Sequence, residues 1–306
     1  MRDPVGVKRV VIRGSVGTGE AAPAGTFLAG KTGLSAREIE DALAKGALRL
    51  KRPGRKRFRP RRGDVPLGEG DALEFFYDEG ILSRVPPRAA LVEDRKEYSV
   101  WFKPPGLMTQ GSPWGDHCSL ERQAELHFRG GRAVYLLHRL DREAAGLVLL
   151  GHTKKTAAAL SRLFREGAIE KRYRVEVSGR PAAPGGGGVI DLPLDGKQAR
   201  TDFQVISWDG ERNISEIEVI LKTGRLHQIR RHFEAVGCPV LGDPRYGKGN
   251  RNREGMKIKA FSLAFPCPVR GGMARFSLSR PSRPSPFPAA PPDGRRPRFS
   301  GGPRDS

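Results

Sequence analysis

The stretch YLLHRLDREAAGLVLLG, residues 135 to 151, constrains this chain more than any other. It ends in GLVLLG, an apolar run that reads as a strand, and sets His138, Arg139, Asp141, Arg142 and Glu143 directly before it. Charge beside buried leucines costs solvation free energy unless it is paired or kept at the surface. The segment is therefore a plain exposed turn or a place where one carboxylate is held beside arginines in order to react. Asp141 precedes the strand and is flanked by Arg139 and Arg142, whose guanidinium groups would hold it ionised.

A second segment, KTGRLHQIRRHFEAVGCPVLGDPRYGKG (222 to 249), opens with a turn at Gly224 and closes with one at Gly242-Asp243-Pro244. Between them it places His227, Gln228, Arg230 and Arg231 on a helix, either as a solvated basic face or as RNA contacts. Around these two segments, strands alternate with helices from about Arg95 to Val269. YSVWFKPPG reads as a strand broken by its double proline. TKKTAAALSRLFREG reads as a helix capped by Thr153 and stopped by Gly167. KRYRVEVSG alternates, with Tyr173, Val175 and Val177 on one face. The run PAAPGGGGV is a loop with no GK[ST] and no following helix, hence not a phosphate loop.

Upstream, residues 1 to 23 read as loosely structured. SAREIEDALAKG then carries a capping box, Ser35 with Glu38, and a terminating Gly46. The strand ALRLK follows, and then KRPGRKRFRPRRG, in which eight of thirteen residues are Lys or Arg and which is expected to be a solvated loop. VPLGEGDALEFFY restores turn and strand pattern, residues 79 to 94 read as a linker around Val85-Pro86-Pro87, and 280 to 306 as a disordered, basic, proline-rich tail. With 55 Lys and Arg against 34 acidic residues, the chain favours a polyanionic partner. It has no apolar run of membrane-spanning length and no secretion-signal core. Three scattered cysteines fit a reducing cytosol, and six histidines without ligand spacing point to no metal.

Two resemblances organise these observations. Residues 24 to 78, through GLSAREIEDALAKGALRL and VPLGEGDALEF, resemble an S4-like RNA-binding domain. That likeness implies that Lys45, Arg49, Lys51 and Arg52 meet RNA phosphates, giving affinity rather than sequence choice. FKPPG, HRLDREAAGLVLLG, KRYRVEV, PLDGKQARTDFQV and TGRLHQIRRHF through VLGDPRYGKG, in that order over roughly 94 to 270, resemble the RluA family of pseudouridine synthases.

The second likeness implies an α+β chain: a small S4-like module, then a catalytic domain over 95 to 270 whose mixed, largely antiparallel sheet is flanked by helices. It implies isomerisation of uridine to pseudouridine within RNA, without cofactor or metal. Asp141 becomes the essential aspartate, Arg230 its salt-bridge partner, and Tyr173 the residue that stacks on the target base and helps remove the C5 proton. Arg139, Lys171, Arg225, His227 and Gln228 become contacts to RNA. A cytoplasmic monomer is implied, with RNA as partner. The S4-like module favours large-subunit ribosomal RNA, while RRHF and GKGNRNREG lean toward the tRNA-modifying branch. Ala144 and Ala145 stand where the family usually carries hydroxyl residues. A silent RNA-binding or ribosome-assembly factor is the rival reading, and a glycosidase-like hydrolase using Glu143 or Asp243 a more distant one.

Overall fold

The computed structural model describes residues 7–182, 184–247 and 254–278, and the backbone of 298–299. Apart from that last pair the tail lies outside the described residues, as does most of GKGNRNREG. The chain divides into two compact units, one of 1–87 with 108–130, the other of 88–107 with 131–306. Among the described residues no helix is long and apolar enough to cross a membrane.

The first unit comprises β1 (Arg9–Ser15), β2 (Ala22–Pro23), α1 (Ala24–Thr32), α2 (Ala36–Ala44), β3 (Leu48–Lys51), β4 (Pro66–Leu67), β5 (Ala72–Asp78), α3 (Glu79–Leu82) and α4 (Leu120–His127). Ser35 and Glu38 cap α2 reciprocally, and the helix turns Ile39, Ala42 and Leu43 inward. These side chains meet Leu28, Leu48, Leu50 and Phe75, all fully buried. Each such side chain contributes on the order of 1.5–3 kcal/mol.

Four expectations change here. The N-terminal stretch is not loose throughout, because Arg9–Ser15 pairs antiparallel with β5 and sends Val10 and Ile12 into this core. The span 79–94 is not simply a linker: it contains α3, and Ala90–Asp94 is a strand of the second unit. The basic run is not simply solvated. Arg61 makes two 2.7 Å bonds to Asp116, and Arg59 approaches the same carboxylate at 3.4 Å while donating to the carbonyl of Ser112 at 2.7 Å. Segment 108–130, expected in the catalytic domain, thus clusters with the first unit.

The second unit comprises β6 (Ala90–Asp94), β7 (Tyr98–Lys103), β8 (Tyr135–Leu136), β9 (Ala145–Gly151), α5 (Lys154–Arg165), β10 (Glu170–Ser178), β11 (Gly187–Asp191), β12 (Arg200–Asp209), β13 (Ile214–Leu221), α6 (Gln228–Ala235), β14 (Ile258–Pro266), β15 (Met273–Ser277) and β16 (Arg298–Phe299). One eleven-stranded sheet runs β16-β11-β12-β13-β10-β14-β9-β7-β6, with β15 on β14 and β8 on β9. Only β9–β14 and β11–β16 pair in parallel, so the sheet is mixed and largely antiparallel. Leu147 and Leu149 of β9, Val100 of β7, Leu160 of α5 and Phe265 of β14 share one core. Val148 and Leu150, which alternate with them, are equally buried, so β9 is covered on both faces, as its unbroken apolar sequence requires.

Gly146 sets how closely β9 meets β14. Its φ is +131°, and a Cβ there would lie 2.3 Å from the carbonyl oxygen of Ala260 and 2.5 Å from its nitrogen. Glycine is needed for the conformation and for the approach. The strand it begins anchors the turn that carries Asp141.

Candidate active site

The site is built on a helix that starts in an unusual way. His227, the residue before α6, adopts φ 52° and ψ 30°, a left-handed conformation that costs energy for a non-glycine residue. Gln228 holds this turn. Its Oε1 accepts from the Thr223 hydroxyl at 2.7 Å and the Arg225 N–H at 2.9 Å, and its Nε2 donates to Arg200 O and Thr201 Oγ1, both at 3.0 Å. With every polar side-chain atom engaged and the side chain buried, Gln228 braces this turn at the wall of the cleft.

One turn on, Arg230 points inward with its side chain 4% exposed. Its Nε and Nη2 donate to the two oxygens of Asp243 at 2.6 and 2.8 Å, and its Nη1 donates to Asp141 Oδ2 at 2.9 Å. Asp243 is fully buried and also accepts the backbone N–H groups of Arg245 and Tyr246. Burial alone would raise the Asp243 pKa, but these hydrogen bonds hold it below the ordinary value. Burial would likewise lower the pKa of Arg230, and its bonds to Asp243 and Asp141 raise it instead. Two carboxylates sharing one guanidinium leave a negative charge unmatched, and Asp141 is the member that still reaches the cleft.

The expected neighbours of Asp141 behave differently. Arg139 is exposed at the edge of the cleft, and Arg142 turns away to Glu143 at 2.9 Å. The turn is held from below by Lys103, the lysine of FKPPG. Lys103 is fully buried, and its ammonium donates to the carbonyls of Leu107 (2.7 Å), Pro104 (3.1 Å) and Arg142 (3.1 Å). Gly106 N–H reaches the same Arg142 carbonyl at 2.7 Å. Burial lowers the Lys103 pKa to about 8.

The open side of Asp141 is a cleft of about 870 Å³ lined by, among others, Arg139, Phe164, Lys171, Tyr173, Arg225 and His227. Tyr173 is buried, and that burial, with the charge of Asp141 second, raises its phenol pKa well above the usual value. The hydroxyl is thereby kept protonated, which makes it a donor and a stacking surface but a poor proton acceptor. Burial lowers the Lys171 pKa, and its ammonium lies 6.0 Å from the centre of the Phe164 ring. Arg225 is exposed and donates to Gln198 O. His138 accepts the Leu149 N–H at Nε2, and burial pushes its pKa down to about 3.

In the first unit, three of the four cations expected at RNA already face carboxylates. Lys45 bonds Asp41 at 2.7 Å, Arg49 approaches Glu74 at 3.4 Å, and Arg52 lies 3.8 Å from Asp71. Lys51 is exposed and makes no ion pair among the described residues.

Sequence reasoning missed Lys103, Tyr246 and the bracing role of Asp243. The first two belong to FKPPG and GDPRYGKG, quoted above as motifs, but a motif does not say which side chain is buried beneath a reactive one. Asp243, held on both oxygens by Arg230, is unavailable as the second carboxylate that a glycosidase would need.

Human RNA Pseudouridylate Synthase Domain Containing 4 and Domain Containing 1 share this fold, each with a TM-score of 0.51. The first is 24% identical and covers 63% of this chain and 88% of its own; the second is 20% identical and covers 65% and 87%. These likenesses show a shared α+β fold with a mixed, largely antiparallel sheet.

The profile of the RNA pseudouridylate synthase family matches residues 97–235. A ribosomal large subunit pseudouridine synthase C of Rickettsia prowazekii is 32% identical over 200 residues, 60% of this chain and 65% of that protein. A ribosomal large subunit pseudouridine synthase D of Zymomonas mobilis is 30% identical over 171 residues, 48% and 52% respectively. An uncharacterized RNA pseudouridine synthase of Aquifex aeolicus is 29% identical over 220 residues, 62% and 69%. This chain thus spans between 52% and 69% of the length of these curated relatives. Over residues 97–235 the chain is thus similar to the RNA pseudouridylate synthase family, and the relatives it matches bear the names of RNA pseudouridine synthases.

Proposed function

We propose that the chain is an RNA pseudouridine synthase that isomerises uridines in large-subunit ribosomal RNA, with Asp141 as its essential group. The observation that carries this reading is the shared guanidinium of Arg230, which fixes Asp141 at the floor of an open cleft while Asp243 keeps the pair from being neutral. In the reaction the N1–C1′ bond breaks, the base turns, and C5 bonds to C1′. The proton lost from C5 is balanced by one gained at N1, so no oxidant or reductant is needed. Asp141 serves as nucleophile on the sugar or base, or takes the C2′ proton. Tyr173 stacks on the base, and its raised pKa favours that part over proton removal.

Lys171, Arg139 and Arg225 then meet backbone phosphates around a base taken out of its stack, which costs a few kcal/mol that phosphate contacts offset. We read the first unit as an S4-like RNA-binding module, supported by its capped helix and the exposed Lys51, Arg55 and Lys56. The ribosomal preference rests on the names of the relatives C and D. We take the protein to act as a cytoplasmic monomer without a metal ion.

Pseudouridine mapping by carbodiimide labelling and primer extension, on total RNA from cells with and without the gene, tests this. The expected result is loss of a site in large-subunit ribosomal RNA. A site lost only from tRNA would redirect the substrate, and no lost site would favour a silent RNA-binding factor.

A further inference from the structure

His227 is held in a strained backbone conformation with no side-chain bond to its own helix end. Its ring instead sits between two groups. Nδ1 lies 3.1 Å from the hydroxyl of Tyr246, and Nε2 faces Asp141 Oδ1 at 3.8 Å. Tyr246 is itself fixed, because Arg230 lies over its ring at 5.0 Å and its backbone N–H is tied to Asp243. Strain that persists because the surroundings over-determine it is characteristic of functional positions.

We infer that His227 and Tyr246 form a positioning pair for Asp141: the Tyr246 hydroxyl donates to Nδ1, leaving the ring hydrogen on Nε2 directed at Asp141 Oδ1. The carboxylate of Asp141 attracts this tautomer's N–H, and the other tautomer would set a lone pair against it. Arg230 already holds Oδ2. At 3.8 Å the Nε2–H guides Oδ1 electrostatically rather than by a hydrogen bond, and favours the carboxylate orientation in which Oδ2 stays on Arg230. The inference rests on the pseudouridine synthase reading and adds a residue role to it.

The ring must be neutral for this. A second proton would place another cation beside Asp141 and cancel the negative charge that Arg230 leaves unmatched. The charged groups facing His227 are Asp141 from the turn before β9, Arg230 from α6, and Asp243 and Arg245 from the turn after it. Their combined influence with burial, the largest cause, lowers the pKa of His227 below 6.5. The neutral form therefore persists through neutral pH and is lost only on the acid side.

The test is release of tritium from uracil C5 in total RNA labelled in cells lacking the gene, measured from about pH 5 to 8. His227→Ala should lose about 100-fold in kcat, the scale of a misplaced catalytic group, with KM changed far less. His227→Gln keeps an N–H near the position of Nε2, so it should retain activity within about tenfold of wild type and lose the acid fall seen in wild type. Tyr246→Phe keeps the ring over Arg230, and should lose activity several-fold and move the acid fall. All three keep a Cβ, so the left-handed strain is common to the series. Full activity in His227→Ala would overturn the inference, as would equal loss in the Ala and Gln variants with the acid fall unmoved. Absence of release by wild type would instead defeat the underlying reading.

Discussion

Each unit contains one half-buried cluster of arginine and aspartate, and the two are built with opposite stoichiometry. In the second unit, Asp141 and Asp243 share Arg230. In the first, Arg59 and Arg61 share Asp116. The most exposed members are alike, Asp141 at 21% and Arg61 at 26%, but the shared Arg230 is more deeply buried, at 4%, than the shared Asp116, at 12%. The first arrangement leaves a carboxylate with charge to spare, which suits attack on an electron-poor carbon. The second bonds two guanidinium groups to one carboxylate, with Glu121 and Glu125 also facing Arg59 and Arg61. An ion pair seen in isolation would suggest two equivalent structural bridges. The two differ in which sign of charge is shared at the centre, a guanidinium in one and a carboxylate in the other.

The largest effect expected from breaking this contrast belongs to Asp141→Asn. The amide keeps the size and still accepts from Arg230 but carries no charge, so tritium release from C5 should fall below detection while RNA affinity stays within a few-fold. Near-normal turnover would mean that the unmatched charge is not what reacts. Arg230→Ala comes next: it strands two carboxylates, one of them fully buried, and should cost roughly 3–5 kcal/mol in urea denaturation together with nearly all activity. An unchanged denaturation midpoint would show that the Asp–Arg–Asp chain does not hold the site together.

Asp116→Asn probes the opposite cluster. It should cost less, roughly 1–3 kcal/mol, because Arg59 also bonds to the carbonyl of Ser112 and Arg61 keeps contact with water. A loss as large as that of Arg230→Ala would remove the distinction drawn between the clusters. The smallest effects concern Lys51 and Arg49. Lys51→Gln should reduce the slope of log affinity against log salt by about 0.9 if its ammonium displaces one counterion from RNA, whereas Arg49→Gln, already facing Glu74, should change it less. Equal changes would show that carboxylate pairing does not decide which cations reach RNA.

Local chemistry was the legible part of this molecule. The box of Ser35 and Glu38, the Thr153 cap and the alternation of Tyr173, Val175 and Val177 depend on neighbours within a few residues, and each reads directly from the chain. The bond between Asp141 and Arg230 spans 89 residues, and no spacing rule reaches that far; only the family resemblance placed the two together. The strand Arg9–Ser15 went unread because only Val10 and Ile12 turn toward the core, and those only half-buried, and its partner lies beyond residue 70. The basic run looked solvated because the one carboxylate that collects Arg59 and Arg61 arrives from residue 116. The bracing bonds of Gln228 were not legible, because a polar residue on a basic helix looks the same whether its hydrogen bonds go inward or out.

Lys103 makes the turn beneath Asp141 observable without any RNA. Its amine is sealed by three carbonyls and has no surface. An acylating reagent can modify it only while the turn is open. The labelling rate of this one lysine, followed by peptide mass mapping, is thus a clock for the opening of the catalytic turn, set against the prompt labelling of exposed lysines such as Lys51.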